Sequence, residues 1–147
     1  LAARLFTLQE AESLLPEVEA AVRQAISLKQ EMIQAQLERQ AWLSRVASAG
    51  GTRVDHSVSA GYAGRVEESA NRLQSTLNGI EALGCLMKDL DMGLLDFPTV
   101  FQGEEVYLCW KLGERSIGFW HGVTEGFQGR KPIDDHFLRN HTGERLH

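Results

Sequence analysis

Six polar side chains between Lys88 and Arg130 have no evident packing role: Asp89, Asp96, Cys109, Glu114, His121 and Arg130. Imidazole, thiolate and carboxylate are the groups that a zinc-like divalent metal takes as ligands, and a catalytic centre leaves one position open for water. On this reading His121, Cys109 and Glu114 are the metal ligands, the Asp89/Asp96 pair stands beside them, and a divalent metal (Zn, Mn or Fe) is the implied cofactor. Arg130 with a carboxylate offers a second chemistry, the binding of a small anion or the fixing of the loop at 126–130.

Each residue also has a plainer reading. A histidine in an apolar strand is more often a core residue that needs only hydrogen-bond partners. Cys109 among aromatic residues behaves as a small hydrophobe at least as often as a nucleophile. Glu114, in the turn Gly113-Glu114-Arg115-Ser116, is ordinarily exposed, and Trp110, Phe119 and Trp120 read as core or interface rather than as a ligand cage. No HExxH, paired CxxC, P-loop or dinucleotide glycine fingerprint is present, so spacing alone identifies no ligand set. His56 reads as a solvated loop histidine. His136 and His141 are five apart, which does not put both on one helix face, so no metal is expected in that segment.

Strands must position these groups. After Gly84 the apolar period is two, and Cys85–Leu90 and Leu94–Phe97 flank the loop Asp91-Met92-Gly93. A three-residue loop sets Lys88 opposite Asp96 as a cross-strand ion pair, whereas a two-residue loop sets Asp89 opposite Asp96; the glycine position favours the first. Pro98 is expected to end that strand and Gly103 to mark the next turn. Val106, Leu108, Trp110 and Leu112 alternate with polar residues, and a return strand runs from Ile117 to Val123. An even loop at 113–116 puts Ile117, Phe119, His121 and Val123 on the apolar face and Cys109 opposite Trp120. An odd loop exchanges the faces and lets Cys109 approach His121. The even loop keeps the apolar faces together and is preferred.

Helices precede the strands. Thr7 and Glu10 form a capping-box pair at a helix start. Pro16 predicts a short first helix followed by a restart or kink. From Glu17, apolar residues from Val18 to Val46 recur at three- and four-residue steps, describing a helix of about 30 residues. Lys29 and Gln36 interrupt the stripe. Ser48-Ala49-Gly50-Gly51 ends the helix, and residues 50–60 form a polar connection. Val66, Ala70, Leu73, Leu77 and Ile80 mark a second helix from about Gly61 to Leu83. Two such helices with a short loop form an antiparallel hairpin that leaves apolar surface to be covered. Residues from Lys131 onward are polar, anchored only by Ile133, Phe137, Leu138 and Leu146, and read as a short docked helix or a partly disordered tail.

The expected fold is α+β: a long antiparallel helical hairpin at 7–83, then a small antiparallel sheet of about four strands at 85–130 packed on it. Residues 1–132 form a single domain and 133–147 a polar C-terminal tail. With 147 residues, 43% apolar and 24% charged, the composition is that of an ordinary globular protein. A net charge of −5 argues against nucleic acid as a partner. No apolar run is long enough to span a membrane, and the N-terminus lacks a signal-peptide pattern. Two cysteines are too few for a disulfide scaffold, so a cytoplasmic location is expected.

The segments Phe6-Thr7-Leu8, Leu14-Leu15-Pro16-Glu17-Val18, Val106 to Glu114, Trp120-His121 and Gly126-Phe127-Gln128-Gly129-Arg130 resemble an uncharacterised bacterial family, domain of unknown function 2203. Lys88-Asp89-Leu90 and Gly93 to Pro98 follow the same pattern, and the resemblance covers about residues 5–132. It implies a small cytosolic bacterial protein and supplies no activity.

Two functional readings follow. The first is a non-enzymatic, self-associating or partner-binding protein, a homo-oligomer through the leftover apolar seam of the hairpin. The second is a metal- or anion-dependent small-molecule site in the sheet, hydrolytic in character. The first is the preferred reading of the sequence.

Overall fold

The computed structural model describes residues 4–50 and 55–144, so the expectations for Gly51 to Val54 and for Leu146 fall outside the described residues. The elements are α1 (Leu8–Ser48), α2 (His56–Ala82), β1 (Leu86–Asp89), β2 (Leu94–Phe101), β3 (Glu104–Lys111), β4 (Phe119–Gly122), β5 (Lys131–Pro132), α3 (Asp135–Asn140) and β6 (His141–Thr142). A 3-10 turn at Phe127–Gly129 follows β4. The chain forms an α+β protein of two compact units, one of Leu1–Arg23 with Leu77–His147, the other of Gln24–Thr76.

The second unit is a helical hairpin. Trp42 stacks on Tyr62 with ring centroids 5.4 Å apart, and Arg72 lies 3.7 Å from Glu31. Later residues of α1 therefore meet earlier residues of α2, which is the antiparallel arrangement. Ala25, Leu28, Ala35 and Leu73 are buried between them. The helix α2 begins earlier than expected, because Asp55 caps it: its carboxylate accepts the Ser57 N–H at 2.9 Å. His56 thus opens a helix rather than lying in a loop, and it is exposed.

The start of α1 is held as its sequence implies. Glu10 N–H donates to Thr7 Oγ1 at 3.1 Å, and Thr7 N–H donates to Glu10 Oε1 at 2.9 Å. The restart expected at Pro16 does not occur; α1 continues through it. An internal proline costs about 3 kcal/mol. Burial of Ala11, Leu15, Val18 and Val22, on one face around that proline, offsets it. Gly50, at φ 89, ends α1.

The sheet has six strands, two more than expected, in the order β1-β2-β3-β4-β5 with β6 also pairing β2. Its centre is β2, every residue of which is buried except Phe101. Pro98 does not end this strand. Its partner on β3 is Tyr107, and its carbonyl accepts the Phe6 N–H at 2.7 Å. Backbone N–H and C=O of one strand residue point to the same edge, so the missing N–H faces the gap between β1 and β6 and breaks no ladder bond. The turn to β3 uses Gln102 and Gly103, both at positive φ, as a two-residue hairpin requires.

Two registers differ from expectation. Along β1, Leu86 faces Asp96 and Asp89 faces Leu94, with a bulge at Lys88. Neither Lys88 nor Asp89 is therefore opposite Asp96. The bulge arises because the turn takes four residues, Leu90 to Gly93, closed by Gly93 N–H to Leu90 C=O. Between β3 and β4, Cys109 faces Phe119 and Tyr107 faces His121, which is the odd-loop register. The rule of one buried face fails here because Val106 to Trp110 are buried on both faces. The segment after Pro132 is a docked helix: Asp134 caps α3, Phe137 is buried, and β6 pairs with Val100 and Phe101.

Candidate functional site

Alternation along the strands sorts the side chains. Leu95, Phe97, Leu108, Trp110 and Trp120 share one face, where Phe6 meets Phe97 edge-on at 5.4 Å. Leu94, Asp96, Tyr107, Cys109 and His121 share the other. Asp96 and Cys109 are direct cross-strand partners, and His121 lies diagonally from Cys109. The result is three ligand-type side chains on three neighbouring strands, Asp96 on β2, Cys109 on β3 and His121 on β4. Their ligand atoms all lie within 4.8 Å of one another. All three are buried, at 1%, 0% and 3% exposure.

Hydrogen bonds define the proton positions. His121 Nδ1 lies 2.8 Å from the Gly122 carbonyl, an acceptor only, so Nδ1 carries a proton. Its Nε2 lies 3.0 Å from Asp96 Oδ1. The imidazole is thus oriented from behind by backbone, with Nε2 directed toward Asp96 and the Cys109 sulfur. The Cys109 thiol is pushed up to about 12, chiefly by burial and then by the Asp96 carboxylate to which it donates. It is a neutral thiol at physiological pH, not a nucleophile.

Two of the trio, Asp96 and His121, line a cavity of about 330 Å³. Leu94, Tyr107 and the trio's own Asp96 and His121 form its floor, and the segment from Val123 to Phe127 forms one wall. Lys88, Asp89 and Met92 of the first hairpin complete it. Asp89 reaches the cavity but not the trio; its carboxylate accepts the Met92 N–H at 3.0 Å.

Glu114 and Arg130 form a separate pair. Arg130 Nη2 bonds both Glu114 oxygens, at 2.8 and 2.7 Å, and Glu114 Oε1 also accepts the Lys111 N–H at 2.7 Å. The guanidinium lies 4.0 Å over Phe119 and 4.7 Å over Phe127. Its Nε is buried without a hydrogen-bond partner. Glu114, expected beside His121 and Cys109 as a ligand, is instead committed to fixing the loop of Arg130 to the end of β3. Asp96 takes its place in the trio.

Residues that the sequence did not single out also line the cavity. Glu125 accepts from Gly122 N–H at 2.8 Å and from Lys131 Nζ at 2.6 Å, and these bonds, the Lys131 one first, lower its carboxyl from the ordinary range. Tyr107 lies edge-on to the His121 ring at 5.6 Å. Burial first, then the charges of Glu105 and Asp96, raise its phenol from the ordinary value. Tyr107 sits opposite His121 only in the odd register, so the preferred even loop hid it.

A family model described as "Uncharacterized conserved protein (DUF2203)" matches residues 4–133, and the chain belongs to that family. No curated protein and no solved structure matches the chain.

Proposed function

We propose that Asp96, Cys109 and His121 bind a divalent transition metal, zinc foremost, and that the adjoining cavity admits a small molecule to its open coordination position. The observation that carries this reading is the convergence of one nitrogen, one sulfur and one oxygen ligand within 4.8 Å. Thiolate, imidazole and carboxylate run from soft through borderline to hard donors, a set that borderline zinc accepts, and three protein ligands leave a fourth position open. A metal-bound His commonly donates its other ring N–H to an acceptor that fixes the tautomer; the Gly122 carbonyl is already in that role. A bound dication offsets two buried negative charges, ionised Asp96 and the Cys109 thiolate, neither of which is cheap alone at this depth. A metal held there supplies Lewis-acid polarisation or an activated water, so hydrolysis of a small substrate is the reaction class.

The test is metal content by inductively coupled plasma mass spectrometry, on protein purified without a metal-affinity tag. Near-stoichiometric zinc in the wild type, lost in His121→Ala with the near- and far-ultraviolet circular dichroism retained, supports the reading. A wild type that stays metal-free after dialysis against zinc refutes it.

A second reading, self-association through the Gln24–Thr76 unit, rests on different residues. Ile33, Leu37, Leu43 and Val58 are 42%, 59%, 39% and 40% exposed. Leu73 is buried between the helices, so the informative variant is Leu37→Glu. A dimer by light scattering that becomes a monomer in this variant supports the reading; a monomeric wild type removes it.

A further inference from the structure

Residues 134–144 close on the start of α1 through one imidazole. Leu8 is the first residue of α1, so its N–H has no partner within the helix. His141 supplies one: its Nε2 lies 3.0 Å from the Leu8 nitrogen and accepts that N–H. The other ring nitrogen, Nδ1, lies 3.1 Å from the Phe137 carbonyl and 3.0 Å from that of Leu138. A carbonyl only accepts and an N–H only donates, so both sides of the ring require the same neutral tautomer, protonated on Nδ1 alone. The ring stacks on Phe137 with centroids 5.2 Å apart, and Phe137 stacks in turn on Trp120 at 5.0 Å. Beside it Thr142 pairs with Val100, and the Thr99 hydroxyl donates to the Thr142 carbonyl at 3.2 Å. Gly143 approaches so closely that a Cβ added there would lie 3.1 Å from both the Thr7 nitrogen and Glu10 Oε1.

We propose that His141 is a pH-sensitive latch: uncharged, it ties residues 134–144 to the start of α1; protonated, it releases them from β2. A proton on Nε2 turns the acceptor into a donor facing the Leu8 N–H, and it sets a cation at the positive end of α1. Both changes oppose the closed form. Proton uptake therefore favours the open form, in which Val100 and Phe101 lose their β6 partner and the Phe101 and Trp120 rings lose Phe137. The first turns of α1 bring Glu10, held by the Thr7 N–H, and Glu12, held by the Ile117 N–H. The helix α3 brings Asp134, which caps it, with Asp135, His136 and Arg139. Glu144 follows β6, and β2 brings only Asp96, bonded to His121. Glu10 attracts an imidazolium, but its Oε1 is already committed to the Thr7 N–H, whereas the Leu8 N–H meets the ring directly. Ordinary carboxylates and guanidinium groups keep their charge between about pH 5.5 and 7.5, so around the latch only His136 and His141 change theirs.

The test is hydrogen exchange read by mass spectrometry over residues 134–144 of the full-length protein, at about pH 7.5 and 5.5, corrected for intrinsic exchange. Opening linked to an imidazole that titrates near 6.5 when free becomes about tenfold more favourable over that step, so protection of the segment should fall about tenfold. His136→Gln should keep that fall. His141→Gln should lose it, because an amide oxygen accepts the Leu8 N–H and does not titrate. Unchanged wild-type protection, or a fall that persists in His141→Gln or disappears in His136→Gln, overturns the proposal. If His141→Gln is unprotected at both pH values, the nitrogen-15 spectrum of the wild-type ring decides. Protection lost together with the neutral Nδ1–H form upholds the latch; protection that survives ring protonation overturns it.

Discussion

Both cysteines are buried and free, and the cost of ionising them makes folding sensitive to alkali. Burial pushes the Cys85 thiol up to about 11 and is the first cause of the rise of Cys109 to about 12. An exposed thiol in the unfolded chain titrates near 8.5. A raised folded value means that the stabilisation is whole below the unfolded pKa and is lost as pH rises toward the folded one. From pH 8 to 10 the two unfolded thiols release about 1.5 protons that the folded chain keeps, at about 1.4 kcal/mol per proton per pH unit once both thiols ionise. Integrated over that window, the two thiols remove about 4 kcal/mol, a large part of the roughly 5–15 kcal/mol that holds a domain folded.

Urea unfolding of chelator-treated protein measures this, in a Trp42→Phe background so that fluorescence reports Trp110 and Trp120 beside the sheet. With a urea dependence of about 2 kcal/mol per molar, the midpoint should fall by about 2 M between pH 8 and 10. The variant Cys85→Ala/Cys109→Ala should lose that dependence, and each single variant about half of it. Lysines and tyrosines titrate in both proteins and cancel in the difference. Equal pH slopes in the wild type and the double variant would refute the reasoning.

Other perturbations have equally definite outcomes. Arg130→Ala removes an ion pair in which one guanidinium nitrogen serves both Glu114 oxygens, together with a stacked cation whose side chain is 10% exposed, and should cost about 2–3 kcal/mol, or about 5–10 °C in melting temperature by calorimetry. Arg130→Lys should recover less than half, because an ammonium does not stack over Phe119 and Phe127 as a planar guanidinium does. Gly93→Ala places a side chain at φ 66 with its Cβ in collision with Leu112 Cβ, and should cost about 2–4 kcal/mol by chemical denaturation. Thr7→Ala unties one arm of the capping box at α1 and should cost about 1 kcal/mol by the same measurement.

What was legible in the sequence is what local chemistry decides. Thr7 and Glu10 name the helix start because both partners lie within one turn. The step from helical to alternating period after Gly84 marks the sheet, and the glycine at 93 marks its first turn, where φ is 66. Features set by distant groups were not legible. Pro16 is carried by burial around it, and Pro98 by an edge gap that exists only once β6 and Phe6 have docked. The register at 113–116 depends on Glu114, which holds the Lys111 N–H and the Arg130 guanidinium, twin contacts that no pattern in the strands reveals. Four of the six candidate residues, Asp89, Asp96, Cys109 and His121, do gather in or beneath one cavity. The other two, Glu114 and Arg130, brace its wall. The ligand set shifted from Glu114 to Asp96 because the odd register turns His121 to the face that Asp96 and its cross-strand partner Cys109 already share.

The claim that most needs a direct measurement is that Cys109, a neutral thiol when alone, becomes a metal-bound thiolate beside Asp96 and His121. Cobalt(II) titrated into chelator-treated protein reads this, because sulfur ligation gives a thiolate-to-cobalt charge-transfer band in the near ultraviolet. The band is expected to saturate at one equivalent, to be displaced by zinc, and to be absent in a folded Cys109→Ser protein. Cobalt absorption without that band, or an identical band in Cys109→Ser, contradicts it.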